Sequence, residues 1–310
     1  MSEKICNLDI LYIYSISLVV MANKSRFVIA ENIIKAYFNN GPKKVFTKTD
    51  LEETFNTYRG TWNLPATMYL PRFIDQLRKR GVLTHEEIKF EEQGTKKDRY
   101  FSPDATPLQI ALSLAPKSYL SHYTAVSMNG LTTQVPKTIY VSFEQSRKRS
   151  KDLEMEQKNI DYAFAQPQRK SNNRTVYKDF HIVLHNGMYA NRVGVITMDD
   201  LPVTSLERTL IDIAVRPNYA GGVEAVLDAY RNAIESGSLS MRKLLIHLDQ
   251  MDFLYPYHQS IGFYLQRSGG EHPRLDALRK KEMKYKFYLT YEMGDTEYSK
   301  EWKLYYPKGM

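Results

Sequence analysis

Residues 67–102 read TMYLPRFIDQLRKRGVLTHEEIKFEEQGTKKDRYFS, and this stretch decides the fold class of the first part of the chain. Pro71 fits the first turn of a helix, because the N–H that proline lacks would have no partner there. Phe73, Ile74 and Leu77 then form an inner apolar face, and Gly81 is a suitable residue to end the helix. The polar side chains fall largely on the outer flanks of this predicted helix: Arg72, Gln76, Arg78, Lys79 and Arg80.

The second half of the same stretch predicts a β-hairpin. Residues 82–92 form the outgoing strand, residues 93–97 the turn and residues 98–102 the returning strand, with Gly94 as the turn residue. The cationic residues at or beside the predicted tip are Lys96, Lys97 and Arg99.

Two more helices are predicted upstream of this stretch. Apolar residues recur at three- and four-residue spacings over residues 25–39, and Asn39-Asn40-Gly41-Pro42 ends that helix. A short strand at residues 45–46 follows, and Thr47 with Asp50 has approximate capping-box spacing before a helix over residues 48–58.

This order of elements is typical of a winged helix-turn-helix, which we expect over residues 22–102. A basic third helix can enter a major groove about 12 Å wide while the hairpin lies along adjacent phosphates. A solvated helix face followed by an ordinary charged hairpin is the plainer interpretation of either motif alone. The order of the elements favours DNA binding, although winged helices also serve as protein-binding modules.

Composition restricts the class of protein. The chain has 310 residues, 43% hydrophobic and 25% charged residues, and a net charge of +8, which suits two globular domains and a polyanionic partner. The single cysteine, Cys6, excludes an intramolecular disulfide and favours a reducing, cytoplasmic location.

The apolar run at residues 8–20 is shorter than the roughly 20 residues that cross a bilayer, so no membrane is expected. Because Met21 is itself a plausible start, residues 1–21 are interpreted as an extension or a mis-assigned start.

Residues 107–310 predict a larger mixed body, so the fold class expected for the chain is α+β. Residues 180–186 and 191–198 are predicted to be two strands around a turn at Asn186-Gly187, and the tail is predicted to form a hairpin around Gly294-Asp295. The highly charged stretch that follows residue 144 is either an exposed loop, which we favour, or a second anion-binding patch, and its clustered cations are Arg147, Lys148, Arg149 and Lys151.

The most organised segment of the body is VTSLERTLIDIAVRP, residues 203–217. Thr204 and Glu207 have capping-box spacing. Charges spaced four apart predict a charge ladder on one flank of the helix, formed by Arg208, Asp212 and Arg216. An active site built on Glu207, Arg208 and Asp212 is the alternative, but a cap and a surface ladder explain the same residues and are favoured.

Two long segments of the body resemble the AbiEi antitoxin family of type IV toxin–antitoxin systems. They are YLSHYTAVSMNGLTTQVPKTIYV, residues 119–141, and TSLERTLIDIAVRPNYAGGVEAVLDAY, residues 204–230. The resemblance implies a repressor that binds inverted repeats in its own promoter and has a role in abortive infection, a form of phage defence. It also implies that the body counteracts a toxin with a nucleotidyltransferase fold without a long-lived complex. Within the family's strongest line, the candidate antitoxin residues are Arg208, Asp212 and Arg216.

We therefore expect a non-catalytic regulator that needs no metal and no cofactor. Arg72, Gln76 and Arg78 are predicted to reach base edges. The predicted phosphate contacts are Lys79, Arg80, Lys96, Lys97 and Arg99. The sequence carries no Gly-rich phosphate loop, HExxH, CxxC or convincing serine-nucleophile elbow. A metal-dependent nuclease and a winged helix that docks protein or RNA remain the alternatives.

Overall fold

The computed structural model describes residues 25–92, 94–146, 155–269 and 273–310, which form two compact units. The first unit comprises the described residues up to Glu87 together with Asp98–Thr106, and the second comprises Ile88–Lys97 and Pro107–Met310. Three features singled out in the sequence lie outside the described residues: the predicted extension at residues 1–21, Cys6 and the cationic cluster at residues 147–151.

The first unit is built from helices and a small sheet. Its elements are α1 (Arg26–Asn40), β1 (Val45–Phe46), α2 (Lys48–Tyr58), α3 (Leu70–Lys79), β2 (Thr84–Lys89) and β3 (Lys96–Phe101). The strand order is β1-β3-β2, with β1 antiparallel to β3. The unit boundary crosses the β2–β3 hairpin, because its tip, residues 88–97, belongs to the second unit.

Local capping fixes where α2 begins. The Thr47 hydroxyl accepts a hydrogen bond from the Asp50 backbone N–H at 3.1 Å, and the Asp50 carboxylate accepts one from the Thr47 backbone N–H at 2.7 Å. This reciprocal pair confirms the predicted capping box and satisfies two donors that the first helical turn leaves free. Lys43 also pairs with the Asp50 carboxylate at 2.6 Å.

An aromatic cluster forms the core of the first unit. Trp62, which is 3% exposed, stacks on Phe73 with ring centroids 5.8 Å apart, and Phe73 also packs on Phe55 at 5.0 Å. Phe73, Ile74 and Leu77 are all buried, as their spacing on α3 predicts. The inner face of α3 is therefore fixed against α1 and α2, which leaves its opposite face to solvent.

The second unit alternates helices and strands without a regular βαβ repeat. Its elements begin with α4 (Pro107–Ser113), β4 (Tyr119–Leu120), α5 (His122–Met128), β5 (Thr138–Glu144), α6 (Gln157–Ala165), β6 (Arg174–Tyr177), β7 (Phe180–Gly187), β8 (Val195–Met198) and β9 (Leu201–Thr204). They continue with α7 (Leu206–Val215), a 3₁₀ turn (Pro217–Tyr219), α8 (Val223–Glu235), α9 (Met241–Met251), α10 (Tyr257–Arg267), α11 (Leu275–Arg279), β10 (Phe287–Tyr288), β11 (Thr296–Ser299) and β12 (Leu304–Pro307).

A six-stranded sheet with the order β6-β7-β5-β4-β9-β8 organises this unit. β5 and β7 run parallel over their whole length, from Thr138 opposite His181 to Glu144 opposite Gly187. The predicted pairing of β7 with β8 around Asn186-Gly187 is therefore wrong. β7 pairs with β5 on one edge and with β6 on the other, so neither of its hydrogen-bonding edges is left for β8, which forms a hairpin with β9.

Helices α7 to α11 pack into the main hydrophobic core of the second unit. α10 contains Gly262 because the ring of Trp302 lies directly on the helix backbone there. A Cβ atom at that position would come within 2.1 Å of the ring, closer than any real contact. Trp302 is fully buried, and its indole N–H donates to the Gln266 side chain at 2.6 Å.

The C-terminal strands form a separate three-stranded sheet with the order β10-β12-β11. β11 and β12 are an antiparallel hairpin whose turn lies at residues 300–303. The predicted hairpin centred on Gly294-Asp295 is wrong, because those two residues precede β11 and connect it to β10, which pairs with β12 in parallel. Both units together give a fold that mixes helices with several sheets. No helix in the described ranges has the length and apolar character needed to span a bilayer.

Candidate functional site

The outer face of α3 carries exposed positive charge. Arg72, Arg78 and Lys79 are exposed, whereas Gln76 is half-buried. Positions 72, 76 and 79 follow one another at four- and three-residue spacing, so their side chains share one side of the helix. Lys79 pairs with Asp75 at 2.9 Å, but both side chains are largely exposed, and such surface pairs contribute little and exchange readily.

The Arg80 side chain forms hydrogen bonds and an ion pair within the first unit. Its guanidinium donates to the Glu31 carboxylate at 2.6 Å and to the Gln76 side chain at 3.2 Å, and it lies over the Phe27 ring. Lys35 first, and then Arg80, hold the pKa of Glu31 below its ordinary value. The assignment of Arg80 to phosphate contacts does not fit this arrangement, because its side chain joins the end of α3 to α1.

Arg99 is buried, and its predicted contact with phosphates does not fit this burial. Only 8% of Arg99 is exposed, and its guanidinium donates to the Asp98 carbonyl at 2.7 Å. Burial lowers the pKa of this guanidinium, and the carboxylates of Asp50 and Asp98 oppose that shift. Arg99 lies in the part of β3 that belongs to the first unit, where Arg99, Tyr100 and Phe101 are all buried.

The tip of the hairpin is bonded within the second unit. The Glu91 N–H donates to the Arg174 carbonyl at 3.0 Å, and the Thr175 hydroxyl donates to the Lys89 carbonyl at 2.7 Å. Lys97 donates to the Leu114 carbonyl at 2.5 Å, so its predicted phosphate role is not supported. Lys96 is exposed, and both lysines belong to β3 instead of the predicted turn.

In the second unit, α7 brings Arg208 and Asp212 together in the interior. The Arg208 Nε lies 2.8 Å from Asp212 Oδ1, with side chains 6% and 10% exposed, and Arg208 also donates to the Val193 carbonyl at 2.6 Å. Burial raises the pKa of Asp212, and Arg208 opposes that rise. The predicted surface ladder is therefore wrong. Arg208 and Asp212 are buried, because other segments of the second unit, such as the one that contains Val193, cover the flank of α7 that we expected to be exposed. The predicted cap is also shifted by one residue, since Ser205 caps the helix and Thr204 ends β9.

A cavity of about 380 Å³ adjoins this buried pair. It lies at the carboxyl ends of the parallel strands β5 and β7, where Ser142 and His185 are register partners. Many of the residues that line it are polar or charged: Tyr119, His122, Ser142, Gln145, His185, Asn186, Arg208, Asp212 and Arg216. Its lining also includes apolar and aromatic residues: Met188, Val215, Met251, Phe253, Leu254, Tyr255, Tyr257 and Tyr291. The three antitoxin candidates of the sequence analysis thus share one cavity.

Two histidines in this cavity remain neutral at ordinary pH. Burial, followed by the charge of Arg216, lowers the pKa of His185 to about 4. Burial also lowers the pKa of His122, with smaller contributions from His185, Arg216 and Arg208. The His122 ring shares a hydrogen bond of 2.9 Å with the Ser121 hydroxyl, which is itself 2.7 Å from the Ser142 hydroxyl.

Arg216 differs from Arg208 in its partners. Across the described ranges its guanidinium has no ion pair or hydrogen bond, and its contact is with the face of the Tyr219 ring at 5.9 Å. Asp212 does not pair with Arg216, although the spacing predicts it. His122 and His185 were not among the site residues predicted from the sequence. One feature of the sequence could have indicated His185, which lies near the carboxyl end of an apolar strand. In α/β sheets, ligands bind in a crevice at that end of the strands.

Comparisons with known proteins show that a solved structure has a similar fold. No protein-family model matches the sequence, and no curated protein matches it either. The chain is similar to the crystal structure of the RV2827C protein from Mycobacterium tuberculosis, with a TM-score of 0.52 and 18% identity. The match covers 89% of this chain and 90% of that chain. At this level of identity the likeness shows a shared fold alone.

Proposed function

We propose that the chain is a DNA-binding transcriptional repressor whose first unit acts as a winged helix. The observation that carries this proposal is the exposed cationic face of α3, opposite a face fixed by Phe73 and Leu77. A helix held rigidly by its inner face and basic on its outer face suits insertion into a major groove. The succession of α1, α2, α3 and the β2–β3 hairpin supports the same proposal.

The burial pattern changes which residues we assign to DNA. Arg72, Gln76 and Arg78 remain the candidates for base edges, because they belong to the exposed and half-buried positions of α3. Lys79 remains a phosphate candidate, since its surface pair with Asp75 is weak. Arg80 and Arg99 serve the packing of the first unit and are withdrawn from the proposed interface.

We extend this proposal to an antitoxin that counteracts a nucleotidyltransferase-fold toxin. The two segments that resemble the AbiEi family are neighbours in the second unit. Leu120 of β4 pairs with Val203 of β9, directly before the second segment, and the Asn129 side chain donates to the Thr204 carbonyl at 3.0 Å. The two segments therefore form one continuous part of the fold. This proximity supports the proposal that they share one role.

Binding to the DNA upstream of the chain's own gene tests the repressor role. Arg72→Ala and Arg78→Ala are each expected to relax sequence preference by about 1–3 kcal/mol, because each removes a base contact. Lys79→Ala is expected to weaken all duplexes alike and to lower the salt slope by about one. Fluorescence anisotropy with operator and scrambled duplexes over a salt series measures both effects.

Arg242→Ala is the charge-matched control, because Arg242 is an exposed arginine on α9 of the second unit. Unchanged operator affinity in all three α3 variants would contradict the proposed interface. Competition by structured RNA at matched salt separates a DNA reader from an RNA-docking module, since comparable affinities would favour the latter.

Protection against a toxin tests the second part of the proposal. The gene next to this one is expected to encode a protein with a nucleotidyltransferase fold, and co-expression should restore growth. The double variant Arg72→Ala/Arg78→Ala should still protect while it no longer represses, because the substitutions lie in the first unit and antitoxin activity is assigned to the second. Growth that fails with the wild-type chain would contradict the antitoxin role and leave the repressor role intact.

A further inference from the structure

The cavity beside α7 has the position and size of a small-molecule site. It opens at the carboxyl ends of two parallel strands, β5 and β7, and crevices at this edge of α/β sheets are where ligands bind. Its volume of about 380 Å³ falls within the range of pockets that hold small ligands. Leu254 is 58% exposed and Met188 is 43% exposed, so the rim of the cavity is open to solvent.

The charged residues that line the cavity carry one positive charge in excess. The charge of Arg208 is matched by Asp212 at 2.8 Å, whereas Arg216 has no ion pair in the described part of the chain. The nearby Glu144 carboxylate does not line the cavity and accepts backbone hydrogen bonds from Ala190 and Arg192 at 3.2 and 2.9 Å. A guanidinium without a carboxylate partner at the wall of a cavity is suited to an oxyanion, which it can bind through two N–H groups.

Part of the lining of the cavity is apolar and aromatic. It is formed by the segment between α9 and α10, which includes Phe253 and Tyr255, together with Tyr257 and Tyr291. Burial of an apolar or aromatic body against these side chains is favourable, and aromatic rings supply large contact area in pockets of this kind. The lining of the cavity therefore combines a guanidinium that has no carboxylate partner with apolar and aromatic surface.

We propose that this cavity binds a small molecule with one oxyanion, a carboxylate or a phosphate, on an apolar or aromatic body. Arg216 contacts the oxyanion, and the aromatic side chains enclose the body of the ligand. All of the residues that line the site belong to the second unit, whereas α3, with the proposed DNA-binding face, belongs to the first.

The bound anion also changes the protonation of the histidines in the wall. An anion close to His185 stabilises the protonated ring, so binding is expected to raise its pKa from about 4 and to take up protons. The other groups that face this pair of histidines are Tyr140 and Ser142 of β5, Tyr119 of β4, Ser121 before α5, Arg208 and Asp212 of α7, and Arg216 and Tyr219 beyond it.

Binding of simple probes to the full chain tests the proposal. Phenyl phosphate and benzoate each combine an aromatic ring with an oxyanion, inorganic phosphate lacks the ring, and benzamide lacks the charge. At least one of the two aromatic anions should bind at millimolar concentration and shift the ring signals of His122 and His185 in NMR spectra. Calorimetry in two buffers of different ionisation enthalpy should report proton uptake. Binding of phenyl phosphate alone or of benzoate alone identifies which oxyanion the site accepts.

Arg216→Ala should weaken anion binding by about tenfold or more, and Arg216→Lys should retain part of it. Arg242→Ala, which removes an equivalent charge from the surface of α9, should leave it unchanged. Three results would each overturn the proposal: neither aromatic anion perturbs the histidines, benzamide binds as well as the anions, or Arg216→Ala binds as tightly as the wild type. Thermal unfolding of each variant confirms that it is folded.

Discussion

The buried Arg208–Asp212 pair determines how the second unit responds to the loss of one charge. Asp212→Asn leaves a buried guanidinium without its carboxylate, and breaking such a pair typically destabilises a protein by about 3–5 kcal/mol. Urea unfolding of the second unit should show a loss of this size. The control is Arg231→Ala, which removes an exposed pair with Asp228 and should cost no more than about 1 kcal/mol. Similar losses in the two variants would contradict the burial of the α7 pair.

His185 gives the second unit a pH dependence with a defined sign. Its folded pKa of about 4 lies below the ordinary value of 6.5, so the unfolded chain takes up a proton first as the pH falls. The contribution of the neutral ring to stability is complete above about pH 6.5 and declines steadily toward pH 4. Unfolding free energies measured across this window should decline less in His185→Gln than in the wild type. His181→Gln, which changes an exposed histidine on the same strand, should follow the wild-type curve.

At the scale of single residues, the sequence shows which chemical group a side chain carries, but it is a poorer guide to whether that group is buried. The inward positions of α3 follow from helical spacing, because the period of a helix separates its two faces. Arg99 and Lys97 could not be placed in this way. A strand presents both faces alternately, and which face is covered depends on partners elsewhere in the chain. The burial of Arg208 has the same origin, since Val193 and the cavity wall come from distant segments.

Among the elements, the beginning of α2 offers a test of local capping. Thr47→Ala removes the hydroxyl that accepts from the Asp50 N–H, and loss of such a cap typically costs about 1 kcal/mol. Chemical denaturation of the first unit should show this loss. Thr57→Ala, at an exposed position of the same helix, should not reduce stability, because alanine is the better helix former. Equal effects of the two substitutions would mean that the capping box contributes nothing measurable.

The elements that the sequence predicts well are those with local signals. The bounds of α1, α2 and α3 follow from caps, glycines and periodicity, all of which act within a few residues. Strand pairing in the second unit does not follow in this way. Asn186-Gly187 has the composition of a tight turn, yet Gly187 continues β7 and pairs with Glu144 of β5. A turn signature shows that a turn is allowed, whereas long-range partners decide whether one forms.

For the whole molecule, each compact unit has its own core and its own tryptophan. The chain contains two tryptophans, of which Trp62 is buried in the first unit and Trp302 in the second. Two separate cores are expected to unfold in distinguishable steps. Urea titrations of Trp62→Phe and Trp302→Phe, each followed by the fluorescence of the remaining tryptophan, should give different midpoints. Introducing Thr47→Ala should move the Trp62 signal alone, and a shift of both signals would contradict separate unfolding.

The hairpin tip also protects an open sheet edge. β6 is an outermost strand of the six-stranded sheet, and a bare edge of this kind can recruit a strand from another molecule. The Glu91 N–H donates to the Arg174 carbonyl, and the Thr175 hydroxyl donates to the Lys89 carbonyl. Residues of the tip therefore form hydrogen bonds with polar groups along this edge. Shortening the loop between β2 and β3 would therefore expose a surface on which identical chains could self-associate into aggregates.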